Sequence, residues 1–329
     1  MRNLIKFILI PPVALAISCA GVTVAPAADT PAPAYPARPV RIVVAFAPGG
    51  IADTIARGVG QKLAERYAQT VVIDNRPGAG GILASRIVTN ATPDAHTLLV
   101  HTSAAAINVS MAKEFVHPVT ELTPLANAAS TPTIIVAHRS AAAKGLMDFV
   151  RGAKNARFTY STAGVGTSQH LAGEYLFKAA PGLQATHIAY AGGSTPITAL
   201  LGQQIDLSIT TVPTALTQIK AGNLRAYAAV ARKRIALLPE VPTTAEAGFA
   251  DFEDRSWIAF FAPPKLASAM AVRLNTDINN VLATTEVKER LAAIGLDAQV
   301  STQSEFAEYL TGEVAKWARV VKTIGLTPN

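Results

Sequence analysis

Three glycine-rich turns hold the residues best placed to do chemistry. They are Pro48-Gly49-Gly50-Ile51-Ala52-Asp53, Pro77-Gly78-Ala79-Gly80-Gly81 and Ala163-Gly164-Val165-Gly166-Thr167-Ser168. Each follows a strand-like run and precedes a helix-like one. In an open parallel sheet such turns lie at the carboxyl ends of the strands, where ligands bind. Helix N-termini there present free backbone N–H groups and a partial positive charge. Glycine lets a ligand approach the backbone closely. The pattern predicts a pocket that holds a small anion with amides rather than with charged side chains. One such turn would be read as a change of chain direction alone. Three in one chain favour a ligand site.

Other chemistries fit the residues poorly. No stretch matches G-x-x-x-x-G-K-[ST], and Leu83 stands where a dinucleotide fingerprint beginning at Gly78 needs its third glycine. There is no G-x-S-x-G elbow. Ser168 and His170 lie two apart, so they do not face each other on a helix. The single cysteine, Cys19, lies in the N-terminal leader, which leaves no thiol nucleophile, disulfide framework or cysteine-based metal site. The six histidines form no H-x-H or H-x-x-x-H pair, so a metal is unsupported. Asp53 reads as a helix cap before a catalytic acid. His170 follows the third turn and could face a ligand or sit satisfied in the core. Tyr190 and Trp257 adjoin strand ends, where an aromatic serves a core or a pocket.

The elements that must position these turns alternate along the chain. Strand-like runs are expected at 40–47, 70–74, 96–102, 133–138, 157–162, 185–190, 205–211, 224–231 and 257–262. Helical patterns follow most of them, with Asp53, Thr167 and Pro213 at helix starts. Thr243–Glu246 and Thr302–Glu305 match capping boxes, and three helical stretches near 268–283, 285–294 and 303–324 close the chain. Alternating β and α units mean parallel α/β sheets, and about ten strands fit two sheets better than one. The last helices have little strand left to cover in the second half, so the C-terminal segment is expected to return to the first domain.

The composition agrees with a folded, exported protein. Of 329 residues, 50% are hydrophobic and 16% charged, which excludes disorder and allows two domains. The formal charge is +7. It becomes +5 once Arg2 and Lys6 leave with a leader (7 − 2). The one concentrated basic run, Arg232-Lys233-Arg234, lacks interleaved aromatics, so nucleic acid is not expected. Arg2 and Lys6 precede an uncharged run from Phe7 to Ala28, and Ala25-Pro26-Ala27 offers small residues at cleavage spacing. This reads as a signal peptide over 1–27, with a Pro/Ala-rich linker over 28–39. Ala16-Ile17-Ser18-Cys19 is a loose lipobox, so a lipid anchor through Cys19 stays open beside simple cleavage. Either way the chain is expected in the periplasm.

Seven segments carry a family resemblance. YPARPVRIVVAFAPGGIADTIAR, VVIDNRPGAGG, FTYSTAGVGTSQHLAGEYL, ALLGQQIDL, IKAGNLRA, LPEVPTTAEAG and SWIAFFAP are similar to segments of the Bug-type solute-binding proteins of tripartite tricarboxylate transporters. The resemblance runs from about Tyr35 to Leu326. It implies a two-domain, periplasmic-binding-protein-like α/β fold of type II, with parallel or mixed sheets flanked by helices and a ligand cleft between the domains. The division expected is 40–133 plus 257–329 for one domain and 134–256 for the other. It further implies a receptor without catalysis or cofactor. Such a receptor takes a small carboxylate by domain closure and delivers it to large and small integral membrane subunits, and a monomer is the simpler expectation.

The site residues follow from the same resemblance. Phe46, Gly49, Gly50, Gly80 and Gly81 would hold one carboxylate from the first domain. Gly166, Thr167, Ser168, His170 and Tyr190 would face it from the second. Three positions depart from the family pattern. Ile51 stands where Gly is frequent, Ile82 where Asn is, and Thr210-Thr211 near an Asp-Asn. These changes remove polarity or add bulk near the cleft, so an acid with an apolar or aromatic body is expected rather than citrate. Thr210 in place of an acidic residue argues against an amino-acid ligand, whose ammonium would lose its counter-charge. Two rivals remain: a receptor that signals to a sensor, and an exported α/β enzyme acting on a small carboxylate.

Overall fold

A computed structural model describes residues 35–178, 182–249 and 252–328. The expected leader and cleavage site, Cys19 and most of the expected linker lie outside the described residues.

The first half of the chain runs β1 (Val40–Val44), α1 (Ile51–Tyr67), β2 (Val71–Asn75), α2 (Ile82–Thr89), β3 (Thr97–Thr102), α3 (Ala104–Met111) and β4 (Thr123–His138). Next come α4 (Leu146–Gly152), β5 (Arg157–Thr162), α5 (Ser168–Lys178), β6 (Gln184–Ala189), α6 (Thr195–Leu201), β7 (Leu207–Thr211), α7 (Val212–Lys220) and β8 (Leu224–Val230). The chain ends with β9 (Arg255–Ala262), α8 (Ser268–Ala283), α9 (Thr285–Ala292), β10 (Asp297–Ala298) and α10 (Gln303–Thr323).

Two sheets share one strand. The first has the order β2-β1-β3-β9-β4, with β10 on the far side of β4. Its β1, β2 and β3 are parallel, while β9 runs antiparallel to β3 and β4. In the second sheet β6, β5 and β7 are parallel, and β4 lies antiparallel between β7 and β8. Residues 123–132 of β4 pair with β9, and residues 133–138 enter the second sheet. Each sheet with its helices forms one lobe, and β4 passes from one lobe to the other at Pro132-Thr133.

That crossing is tied to the start of β9. Thr133 donates its N–H to the Asp254 carbonyl (3.2 Å) and its hydroxyl to the Asp254 carboxylate (2.6 Å). Asp254 in turn donates its N–H to the carbonyl of Val230, at the end of β8 (3.0 Å).

Local sequence explains most elements. β1 is a β-branched run buried on both faces, as an inner parallel strand requires. α10 opens on a complete capping box between Thr302 and Glu305, and it buries Phe306, Leu310, Trp317 and Val321 along one stripe. The C-terminal helices pack on the first sheet. Arg66 and Tyr67 at the end of α1 both reach Asp277 of α8, at 2.9 and 2.8 Å.

Several expectations are corrected. β4 begins ten residues before the expected Thr133. Its first part, TPLANAASTP, holds two prolines and mostly small or polar residues, and bulges interrupt its pairing with β9. Only the neighbouring strand makes it extended. Asp53 does not cap α1: Gly50 is the cap and Asp53 lies in the first turn. Thr243 and Glu246 exchange the reciprocal bonds of a capping box (2.8 and 3.1 Å), yet only turns follow.

Candidate functional site

The lobes meet along the glycine turns. Ala47 donates its N–H to Ala191 of the opposite lobe (3.1 Å). A β-carbon on Gly50 would lie 3.1 Å from the Cα of Gly193, so any larger residue there would press on the opposite lobe. A β-carbon on Gly166 would fall 2.1 Å from Asn108 Oδ1, and Asn108 Nδ2 donates to the Gly80 carbonyl (3.0 Å). The second and third turns thus close against each other through Asn108.

Two chambers lie along the lobe contact. The inner one, of about 40 Å³, is lined by Phe46, Gly50, Ile51, Ala52, Thr102, Ala163, Thr167, Gln169, Gly192, Gly193, Pro196, Thr210, Thr211, Thr214 and Ser256. None of these side chains carries a charge. Five hydroxyl-bearing threonines, one serine and one carboxamide face apolar Phe46, Ile51 and Pro196. The outer chamber, of about 760 Å³, is lined by Phe46, Gly78 to Ile82, Asn108, Ala163 to Val165 and Ala189 to Ala191. Arg86, Lys113 and Glu114 also line it, and Arg86 pairs with Glu114 at 2.5 Å.

Four helix N-termini supply the inner chamber. Residues at the starts of α1, α5, α6 and α7 line it, and no side chain caps α1, α6 or α7. At α1 and α7 the first-turn N–H groups, Pro213 having none, lack intrahelical partners and carry the positive end of the helix dipole, while in α6 Pro196 has no N–H and that of Ile197 bonds the Ser194 carbonyl (3.1 Å). At α5, Thr167 accepts from the His170 N–H (3.3 Å) and donates to the Gly164 carbonyl (2.7 Å), which fixes the third turn.

Buried polar groups hold the first turn. Asp53 accepts from the Gly49 N–H (3.1 Å), from Arg57 (3.0 Å) and from Asn75 Nδ2 (3.0 Å). Asn75 Nδ2 also donates to the Phe46 carbonyl (3.0 Å). Burial alone would raise the Asp53 pKa, but the bonds from Arg57, Gly49 and Asn75 outweigh it and keep the carboxyl ionised. Behind the second turn sits His101, where a β-carbon on Gly81 would lie 2.3 Å from its Nε2. His101 accepts the Thr102 N–H at Nδ1 (2.8 Å), and burial pushes its pKa down to about 4, so the ring is neutral.

The expected site residues divide by position. Phe46, Gly50, Ile51, Thr167 and Thr210 line the inner chamber. Gly80, Gly81, Ile82 and Tyr190 line the outer one, as does Phe46 again. Gly49 and Gly166 are pressed against Ser194 and Asn108 at the lobe contact. Ser168 and His170 line neither chamber. Ser168 turns toward the buried Asp254 carboxylate. His170 stacks on His187 (ring centroids 4.3 Å apart), with Nε2 4.0 Å from Glu174. Burial lowers the pKa of both histidines, that of His187 to about 4.

Sequence reasoning missed Thr102, Gln169, Gly192, Gly193, Thr214, Ser256 and Asn108. Gly192-Gly193-Ser194 is a fourth glycine turn between a strand and a helix, so the rule applied to the first three could have found it. Nothing in the sequence marks Asn108.

Two α/β lobes joined through a shared strand, with an uncharged chamber enclosed between their helix N-termini, define a binding-protein fold. Solved structures agree. R. palustris Rpa4515 with adipate superposes with a TM-score of 0.85 at 29% identity, over 90% of this chain and all of that one (100%). MatC from Rhodopseudomonas palustris with bound malate gives 0.79 at 28% identity, over 87% of this chain and 100% of that one. Among curated proteins, BugT of Bordetella pertussis is 32% identical over 314 residues, 94% of this chain and 95% of BugT. The pattern of the Tripartite tricarboxylate transporter family receptor matches residues 55–326. The chain belongs to this family of receptors. It is a solute-binding protein of the Bug type and not an enzyme.

Proposed function

We propose that the protein is a periplasmic receptor for a small carboxylate with an apolar body, held in the inner chamber, whose volume of about 40 Å³ suits a short chain better than an aromatic ring. The observation that carries this reading is the lining: uncapped helix N-termini and hydroxyls, with no charged side chain. Such a chamber satisfies one anionic group through amides and offers no carboxylate to an ammonium. Phe46, Ile51 and Pro196 favour an apolar body over a second carboxylate. Relatives with adipate and malate support carboxylate binding in general. Binding would draw the lobes together, because ligand contacts from both lobes exist only in the closed form. The closed receptor would then deliver its ligand to the large and small integral subunits of a tripartite transporter.

A thermal-shift panel of the mature protein, refolded to remove carried-over ligand, tests the reading. Ligand at ~100 times its dissociation constant adds about 2.7 kcal/mol to the native state, which is several degrees for a protein of this size. Short monocarboxylic apolar acids are expected to give the largest shifts. A tighter response to citrate or to an amino acid would remove the apolar-bodied assignment.

A further inference from the structure

Phe46 stands at the junction of the two chambers. With Ala163 it is shared by both, and of the two only the phenyl ring is large enough to separate them. The ring is 6% exposed. One side is fixed within its own lobe by an edge-on contact with His101, centroids 5.7 Å apart at 81°. The other side lies against the opposite lobe: a β-carbon on Gly192 would come within 2.8 Å of the ring. Gly192 therefore leaves the space that the ring occupies when the lobes meet. The Ala47–Ala191 hydrogen bond beside it holds the two backbones at that separation.

We infer that Phe46 sets the length of acid the receptor accepts, by walling the inner chamber from the larger outer one. The inference rests on the carboxylate reading above. With the ring in place, a carboxylate anchored at the helix N-termini must fit its body within the inner chamber. With the ring removed, the body runs on into about 760 Å³ of mostly apolar space, lined by Ile82, Met111 and Val165 among others. The wall forms only on closure, since half of its support comes from Gly192 of the other lobe. Length selection is thus made when the lobes close rather than when the acid first lands.

Calorimetric titration of linear monocarboxylates from acetate to octanoate, with the ω-phenyl acids from benzoate to 4-phenylbutyrate, tests this on wild type, Phe46→Ala and Phe46→Leu. The wild type should lose at least about tenfold in affinity for each methylene beyond its best acid. Phe46→Ala should prefer a longer acid than wild type, and Phe46→Leu, which keeps an apolar cover and the fold, should fall between. The same best acid and the same fall-off in all three proteins overturns the wall, as does a wild type that binds acids of every length alike. If neither wild type nor variants bind any acid in the series, the carboxylate reading falls and the wall with it. Far-UV circular dichroism confirms that the variants compared are folded.

Discussion

Gly193 faces the carbonyl oxygen of Pro48 across the cleft so closely that a β-carbon on it would lie 2.3 Å away. Its backbone is also left-handed, with φ +66°. Gly193→Ala therefore carries two separate costs. The left-handed backbone costs about 1–2 kcal/mol in every state, while the clash arises only with the lobes together. Ligand affinity is expected to fall by at least tenfold, about 1.4 kcal/mol, beyond a modest loss of melting temperature. Gly222→Ala is the control, because Gly222 has φ +72° with nothing within 4 Å of the added carbon. Equal affinity losses in the two variants would show that closure is not what Gly193 permits.

Glu313 lies 6% exposed between the chain's two tryptophans. Trp257 and Trp317 donate their indole N–H groups to the same carboxylate oxygen, at 2.9 and 3.0 Å, and Lys316 pairs with the other oxygen at 3.0 Å. Glu313→Ala leaves two buried donors without a partner, a loss of about 2–4 kcal/mol. Urea denaturation followed by tryptophan fluorescence is expected to show a lower midpoint and a shifted native emission. Unchanged emission would mean that the indoles find other acceptors.

Asp254 is fully enclosed at the crossing of β4 and β9, and burial raises its pKa from 3.8 to about 6. The native state then holds the proton more tightly than the unfolded chain does. Stability contributed by this group is present at low pH, falls as pH rises from about 4 through 6, and stays reduced above that. The full difference is about 3 kcal/mol. Asp254→Asn is expected to melt higher than wild type at pH 7.5, with the advantage vanishing near pH 4. Melting curves that run parallel across that range would refute the assignment.

The histidines act in the opposite sense. His101 is 1% exposed with its pKa lowered to about 4, and His187 is lowered likewise. Here the unfolded chain binds the proton first, so stability is complete above about 6.5 and is lost as pH falls toward 4. For His101 the loss reaches about 2 kcal/mol at pH 5. His101→Asn gives up packing at every pH but has no such proton to refuse. Its deficit against wild type should shrink by about that amount between pH 7.5 and pH 5, as read by denaturant midpoints at the two pH values.

The candidate site was only partly legible along the chain. Thr167, Ser168, Gln169 and His170 are consecutive, yet Thr167 and Gln169 line the chamber while Ser168 and His170 are turned away. Residues two apart on a helix point about 200° apart, so Thr167 shares the chamber with Gln169 only because Thr167 lies in the turn before α5, and the orientation in which that turn enters the helix decides which residues face the chamber. Proximity to a glycine turn could not supply that orientation. Gly192 and Gly193 were legible by the rule already in use, since their turn also joins a strand to a helix. Asn108 was not, because its role arises from a contact between the second and third turns, which lie far apart in sequence.

The sequence by itself determined the alternation of strands and helices, because β-branched runs, capping residues and glycine turns act over a few neighbours. It also carried the expectation that an anion would be held by backbone amides, because the strand-to-helix turns are built of glycine and threonine rather than of charged residues. Only the tertiary structure decided how the lobes are joined. TPLANAASTP becomes a strand because β9 supplies pairing partners 123 (255 − 132) to 139 (262 − 123) residues away, from Pro132–Arg255 to Thr123–Ala262. The division of the cleft is likewise tertiary. The wall at Phe46 exists where the end of β1 meets Gly192 of the other lobe, and no local pattern encodes a contact that forms only when two distant turns close on each other.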